Sequence, residues 1–257
     1  MPTQSLHVFL IITVLSVVLP AQKQSTRNTP FTPNQFPLPV KPPADAVVLS
    51  DGDTTSLFLS MAGTAPDWPG ENGCLISSRG TGRTNHLALQ LHFHDAEIHV
   101  EFMVDPQGRG NSGLYIHGLY ALQIFDSFGT ENPVQEDQGA LYGFARPPFN
   151  APRKSGEWQV YDIRYLAPRR DRDENIIRQG SITAWLNGQL IHKQTRFGEP
   201  RSKYHPFRYG TTPYLQDHHS PTKFRNIWIR PLDQHGYLYA PKQCERENSV
   251  DSQTGRP

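Results

Sequence analysis

The chain has 257 residues, and its 25 Lys and Arg nearly balance its 24 Asp and Glu, for a formal net charge of +1. That balance gives no electrostatic footprint for a nucleic acid or an anionic membrane surface. With 20 Gly and 23 Pro the chain must turn often, which argues against a helical bundle, and two Cys are too few for a disulfide-framework miniprotein or a four-thiolate zinc site.

The first element in chain order is an apolar run from Val8 to Leu19, followed by Pro20-Ala21-Gln22. It is shorter than the roughly 20 residues a helix needs to cross a bilayer, and it suits a signal-peptide core with Ala21 at the cut. No Lys or Arg precedes it, so an uncleaved anchor is the competing reading. Residues 1–21 are therefore expected to be a signal peptide, leaving a periplasmic or secreted protein with no membrane contact after cleavage. The polar, Pro-rich stretch 22–43 reads as an extended linker, 44–244 as a β-sandwich domain, and the polar stretch 245–257 as a disordered tail. Export would place Cys74 and Cys244 in an oxidising compartment, where a disulfide and two unrelated thiols are equally open.

Residues 85–94 alternate Leu87, Leu89, Leu91 and Phe93 with Gln90, His92 and His94. Residues 97–104 alternate Ile98, Val100, Phe102 and Val104 with Glu97, His99 and Glu101. Such period-two patterns mark half-buried strands, and the short His94-Asp95-Ala96 link predicts that these two pair antiparallel. Further strands are expected at 113–116, 120–125, 159–165 and 181–186, each bounded by Gly, Pro, Asn or Asp. Asn187-Gly188 then predicts a type I′ hairpin into 189–193, because both central residues of that turn need positive φ. The mixed-sign run Arg169 to Glu174 reads as an exposed hairpin tip, and the last strand spans 223–230. No long stretch carries helix periodicity with caps. The fold class is all-β, an antiparallel β-sandwich, in which the outer polar face of a curved sheet would seat a polar ligand such as a sugar.

Four segments carry a resemblance: Gly110-Asn111-Ser112-Gly113-Leu114-Tyr115, Ala121-Leu122-Gln123-Ile124-Phe125-Asp126, Gly156-Glu157-Trp158-Gln159-Val160-Tyr161, and Leu215-Gln216-Asp217-His218 leading to Phe224-Arg225-Asn226-Ile227-Trp228-Ile229. Gly139-Ala140-Leu141-Tyr142-Gly143 and Trp185-Leu186-Asn187-Gly188 add to it. In this order they resemble the 3-keto-disaccharide hydrolase domain family, exported bacterial proteins with a concanavalin A-like lectin/glucanase jelly roll. The likeness runs from about Val47 to Leu232. It implies a hydrolase acting on a glycoside whose sugar is oxidised to a ketone at C3. Two departures stand out: Ala121 where the family usually has Glu, and His219 where a Gly usually follows Asp-His.

A C3 ketone makes the C2 proton acidic, so elimination of the C1 oxygen followed by hydration needs a base near C2, a donor or divalent cation at the enolate oxygen, and an acid for the leaving group. Direct displacement would instead need two flanking carboxyl groups. Glu157 is the preferred carboxylate, with Trp158 beside it to stack on a sugar ring. Asp126, ending its strand, is a second carboxylate or a turn cap. His218 is an acid or base, and Asp217 orients it or binds a cation. Gln123 alternates with core-facing Leu122 and Ile124, so it points into the expected groove. Arg225 would stabilise an enolate, although it shares parity with Ile227 and Ile229 unless a bulge intervenes. Asn111 is an Asx-turn residue or a ligand group, and Tyr142 stacks on sugar or fills the core. His92 and His94 are spaced like metal ligands but lack a third partner, so surface histidines are the simpler reading. The rivals to an enzyme are a non-catalytic carbohydrate-binding module, which Ala121 favours, and a surface scaffold that binds no sugar.

Overall fold

The computed structural model describes residues 33, 37–50, 57–60, 63–77, 86–89, 91–107, 110–173, 175–199, 213–232 and 237–238. In chain order the strands begin with β1 (Val47–Ser50), β2 (Phe58–Ser60), β3 (Gly70–Glu71), β4 (Cys74–Ile76), β5 (Leu87–Leu89), β6 (Leu91–His92), β7 (Ala96–Met103), β8 (Asn111–Ile116) and β9 (Tyr120–Phe125). They continue with β10 (Trp158–Leu166), β11 (Arg169–Arg170), β12 (Ile176–Arg178), β13 (Gly180–Leu186), β14 (Gln189–Phe197), β15 (Tyr214–Leu215), β16 (Lys223–Pro231) and β17 (Tyr237–Leu238).

Two antiparallel sheets dominate. The larger, eight-stranded, runs β14-β13-β10-β7-β16-β4-β3, with β1 also paired to β16. The smaller, five-stranded, runs β2-β5-β15-β8-β9. Leu87, Leu89, Leu114, Ile116, Leu122, Ile124 and Leu215 of the smaller sheet meet Ile98, Val100, Phe102, Tyr161, Ile163 and Ile229 of the larger in one core. The protein is thus a β-sandwich, and the alternation that puts these residues inside puts their neighbours on the two outer faces.

One expected pairing is replaced. The strand preceding His94 does not pair with β7; β5 lies between β2 and β15 in the smaller sheet, while β7 lies between β10 and β16 in the larger. Both strands point their alternating Leu, Ile, Val and Phe side chains into the same core from opposite sides, a pattern that period-two reading cannot tell from a hairpin. The Asn187-Gly188 hairpin forms as expected, with φ of 52° and 82°, and a second of the same kind joins β3 to β4 at Asn72-Gly73, with φ of 52° and 72°. The expected hairpin tip is present between β11 and β12, but Arg169 and Arg170 are held by Asp95 and Glu199.

Residues 1–21, Cys244 and the tail 245–257 lie outside the described residues. Cys74 is buried, its thiol donating to the Asn72 carbonyl at 3.5 Å. Within the stretch expected to be linker, Val40 is buried and docked on the larger sheet.

Candidate functional site

On the smaller sheet, Leu114, Ile116, Leu122 and Ile124 face the core, so their alternates face out. Register places Asn111 opposite Phe125, Gly113 opposite Gln123, and Tyr115 opposite Ala121 on that outer face. β15 adds Tyr214, paired with Tyr115, and Gln216 follows with its amide N–H on the Gly113 carbonyl. Gln123 Nε2 donates to Asn111 Oδ1 at 3.2 Å, a diagonal cross-strand pair. The Gln123 backbone is fixed on its other edge: its N–H donates to Ala140 O, and its carbonyl accepts from Gly139 N–H and from the Tyr161 hydroxyl. Gly113 leaves room here: a Cβ would lie 3.2 Å from Gln216 Oε1 and 3.3 Å from Tyr115 Cε2, close enough to push both side chains by a few tenths of an ångström. Its bare backbone lets the amide and the ring lean across β8 together.

Aromatic rings continue the face. Tyr115 and Tyr214 stack at 4.3 Å, and His86 stacks on Tyr214 at 5.3 Å. His86 Nδ1 accepts the Asp217 backbone N–H at 3.0 Å, which leaves the ring proton on Nε2 when the imidazole is neutral. The buried Asp217 carboxylate accepts the His219 N–H, and His218 between them is exposed. His219 has a φ of 60°, in the region where Gly is free of Cβ strain, so the resemblance's usual Gly is explained by backbone geometry.

The residues selected from the sequence divide into three places. Asn111 and Gln123 lie on this outer face, Asp217 and His218 follow β15 beyond Gln216, and Tyr142 sits at its edge, half exposed, with its N–H on the Ala121 carbonyl. Ala121 is buried opposite Tyr115, with a methyl where the resemblance expects a carboxylate. Asp126 and Glu157 occupy a corner at the end of β9, where the Asp126 N–H donates to the Gly110 carbonyl beside Asn111: both are exposed, and Asp126 accepts a 2.6 Å hydrogen bond from Ser155. Trp158 and Arg225 lie on the outer face of the larger sheet, the guanidinium 3.8 Å from the Trp158 ring centroid. A bulge between Arg225 and Trp228, with Asn226 at φ 46°, turns Arg225 away from the core. Register and parity therefore separate Trp158 and Arg225 from Gln123 by the full thickness of the sandwich. Gln216, Tyr115, Tyr214, His86 and Gly113 were not selected from the sequence; Gln216 stood inside a quoted block, but the stacked pair is visible only through the β8–β15 register.

Arg225 belongs to a buried charge network. Glu101, fully buried, accepts from Arg225 Nε at 2.8 Å, Asn226 Nδ2 at 2.7 Å and the Val40 N–H at 2.8 Å. His99 lies between Asp162, at 2.7 Å, and Glu101, at 3.5 Å, and stacks on Trp228 at 4.8 Å. Burial alone would lower the His99 pKa, but hydrogen bonds and charge from Asp162 and Glu101 outweigh it, so the pKa is raised. Burial would likewise raise the Glu101 pKa, and His99, Asn226, Val40 and Arg225 together hold it below the usual value. Arg225 and an imidazole that holds its proton more tightly than usual thus face Glu101 and Asp162. Asn226 Nδ2 also donates to the Val40 carbonyl at 2.7 Å, so the segment before β1 is fastened to this network.

A cavity of about 470 Å³ lies at the end of the larger sheet, among Ile76, Met103, Val104, Pro106, Pro221 and Lys223, away from the aromatic and amide face. Among the described residues no three His, Cys, Asp or Glu side chains converge as a metal-ion set. His94 is exposed.

The family model described as the 3-keto-alpha-glucoside-1,2-lyase-like domain matches residues 45–230. A crystal structure of a candidate glycosyl hydrolase from Parabacteroides distasonis is 31% identical, covering 74% of this chain and 84% of its own, with a TM-score of 0.67. A second candidate glycosyl hydrolase from the same organism is 18% identical over 74% of this chain and 94% of its own, with a TM-score of 0.52, and shares the fold. No curated protein matches the chain.

Proposed function

The chain belongs to the family of 3-keto-alpha-glucoside-1,2-lyase-like domains and is carbohydrate-active, and from that premise we propose that it cleaves glycosides oxidised at C3, binding them on the outer face of the smaller sheet. The observation that carries the reading is the convergence of Asn111, Gln123 and Gln216 with the stacked Tyr115 and Tyr214 on that face. Apolar ring surface beside a few fixed amides is what a sugar needs: one surface for its C–H face and donors for its oxygens.

Gln123 commits one Nε2 hydrogen to Asn111, and the other is free to meet the C3 oxygen as it gains enolate charge. In this proposal His218, exposed just past Gln216, takes the C2 proton; the C2 electron pair forms the C1–C2 double bond as the C1–oxygen bond breaks. The departing oxygen regains that proton from the imidazolium. Water then adds its hydroxyl to C1 and a proton to C2, which completes a net hydrolysis. Asp126 and Glu157 are not used, and Trp158 and Arg225 serve the larger sheet's charge network. Export through the Val8–Leu19 run, giving a periplasmic or secreted protein, belongs to the same proposal.

The test is incubation of the protein with a panel of 3-keto-glucosides in D2O. Elimination and hydration put deuterium at C2 of the product with every turnover, whereas direct displacement leaves C2 no more deuterated than the 3-keto substrate and the free 3-keto sugar become by exchange in the same D2O without turnover. No product across the panel would reject the enzyme reading. One observation favours a second reading, a non-catalytic sugar-binding module: Ala121 gives the face a methyl group beside Tyr115 instead of a carboxylate. Binding of the same glucosides without conversion would establish that alternative.

A further inference from the structure

The corner holding Asp126 and Glu157 is built from two turns. Thr130 N–H donates to the Ser127 carbonyl, with Gly129 at φ 80°, so Phe128 stands at the tip of the first. Glu157 N–H donates to the Lys154 carbonyl, with Gly156 at φ 90°, which closes the second. Asn150 grips the first turn on both sides of Phe128, its Nδ2 donating to Ser127 O at 2.7 Å and its Oδ1 accepting Gly129 N–H at 2.9 Å. The turns are tied to each other by the Ser155–Asp126 hydrogen bond, and Lys154 Nζ lies 5.9 Å from the Phe128 ring centroid. The tip is fixed, yet it presents an aromatic ring that is 49% exposed, and Phe149, next to the gripping Asn150, is 40% exposed.

A phenylalanine side chain offers about 200 Å², so these two rings leave roughly 180 Å² of apolar surface in water. A stable protein partner would bury about 800 Å² on this side, several times more. The patch matches a ligand of one or two rings, and its rim supplies two carboxylates and an ammonium to bind hydroxyl groups. We propose that this corner is a second saccharide-binding site, in which Phe128 and Phe149 stack on pyranose rings while Asp126, Lys154 and Glu157 hydrogen-bond the ring hydroxyls. The choice of a saccharide rests on the carbohydrate-active reading above, while the rings proposed to stack, Phe128 and Phe149, are not among the residues assigned to the oxidised glycoside.

Hydroxyl-radical footprinting of the whole protein, read by mass spectrometry, separates the two sites. The probes are neutral hexasaccharides of β-1,4-glucan, α-1,4-glucan, β-1,4-mannan and β-1,4-xylan. Oxidation of Phe128 and Phe149 is expected to fall at least about threefold with one of them, while Tyr115 oxidation falls with a 3-keto-glucoside instead. F128A should weaken binding of that hexasaccharide about tenfold and leave 3-keto-glucoside conversion within twofold. Unchanged oxidation of both rings across the panel overturns the proposal, as does full hexasaccharide affinity in F128A. Protection of the two rings without any 3-keto-glucoside conversion supports this site and removes the sheet-face reading alone.

Discussion

Replacing Glu101 by Gln tests whether the charge network under the N-terminal segment is as tightly matched as its geometry indicates. Glu101 Oε1 accepts from Val40 N–H and Asn226 Nδ2 and faces His99 Nε2, while Oε2 accepts from Arg225 Nε. An amide keeps one of these acceptors and turns the other into a donor. With the NH2 at Oε2 it opposes Arg225; at Oε1 it opposes the Val40 N–H and Asn226 Nδ2. The change also removes one of two carboxylates opposing His99 and Arg225 in a site where Glu101 has no exposure. Breaking a buried pair by removing one partner costs about 3–5 kcal/mol. At about 2–4 °C per kcal/mol for a domain of this size, the melting temperature should fall by about 6–20 °C at pH 6. The pH dependence carries the sign. Glu101 has a lowered pKa, so its contribution is complete above the unfolded value of 4.5 and is lost as pH falls through the folded value. The gap between wild type and E101Q should therefore narrow below pH 4.5. Thermal melts followed by circular dichroism from pH 3 to 8 measure it; a gap under about 2 °C at pH 6, or one constant with pH, would refute the reasoning.

His99 has the opposite sign: its raised pKa makes its contribution complete below 6.5 and lost as pH rises through the folded value, so H99N should flatten the alkaline limb of the same melting curves. G180A should cost about 1–3 kcal/mol, because the new Cβ meets Phe197 at 2.3 Å and the Leu166 carbonyl at 2.9 Å, and urea titration reads the loss. G113A should leave the melting temperature within about 4 °C but weaken 3-keto-glucoside binding severalfold, since its Cβ displaces Gln216 and Tyr115 together; calorimetric titration checks both halves.

The alternating segments of β7, β8, β9, β10 and β13 were legible because each has one face in the core, and the Asn187-Gly188 turn because positive φ selects its residues. Pairing was not legible. Leu87–Phe93 and Ile98–Val104 carry the same pattern whether they form a hairpin or enter one core from two sheets, and only the register decides. The candidate residues are divided among faces for the same reason. Gln123 and Asn111 follow from parity along single strands. Tyr115 with Tyr214 depends on strands far apart in sequence, and the destination of Arg225 depends on a one-residue bulge at Asn226. Sequence blocks reveal which residues share a motif; the sheet decides which of them share a face, and here Trp158 and Arg225 do not share that of Gln123.

The central claim is that the amides on the smaller sheet's outer face hold the oxidised sugar, and a titration of the Gln123→Ala, Gln216→Ala double variant with a 3-keto-glucoside addresses it most directly. At about 1 kcal/mol for each lost hydrogen bond, binding should weaken by roughly 30-fold. The backbone contacts of Gln216 to Gly113 and Ser112 survive the substitution, so the fold should persist. Wild-type affinity in a folded double variant would contradict the account.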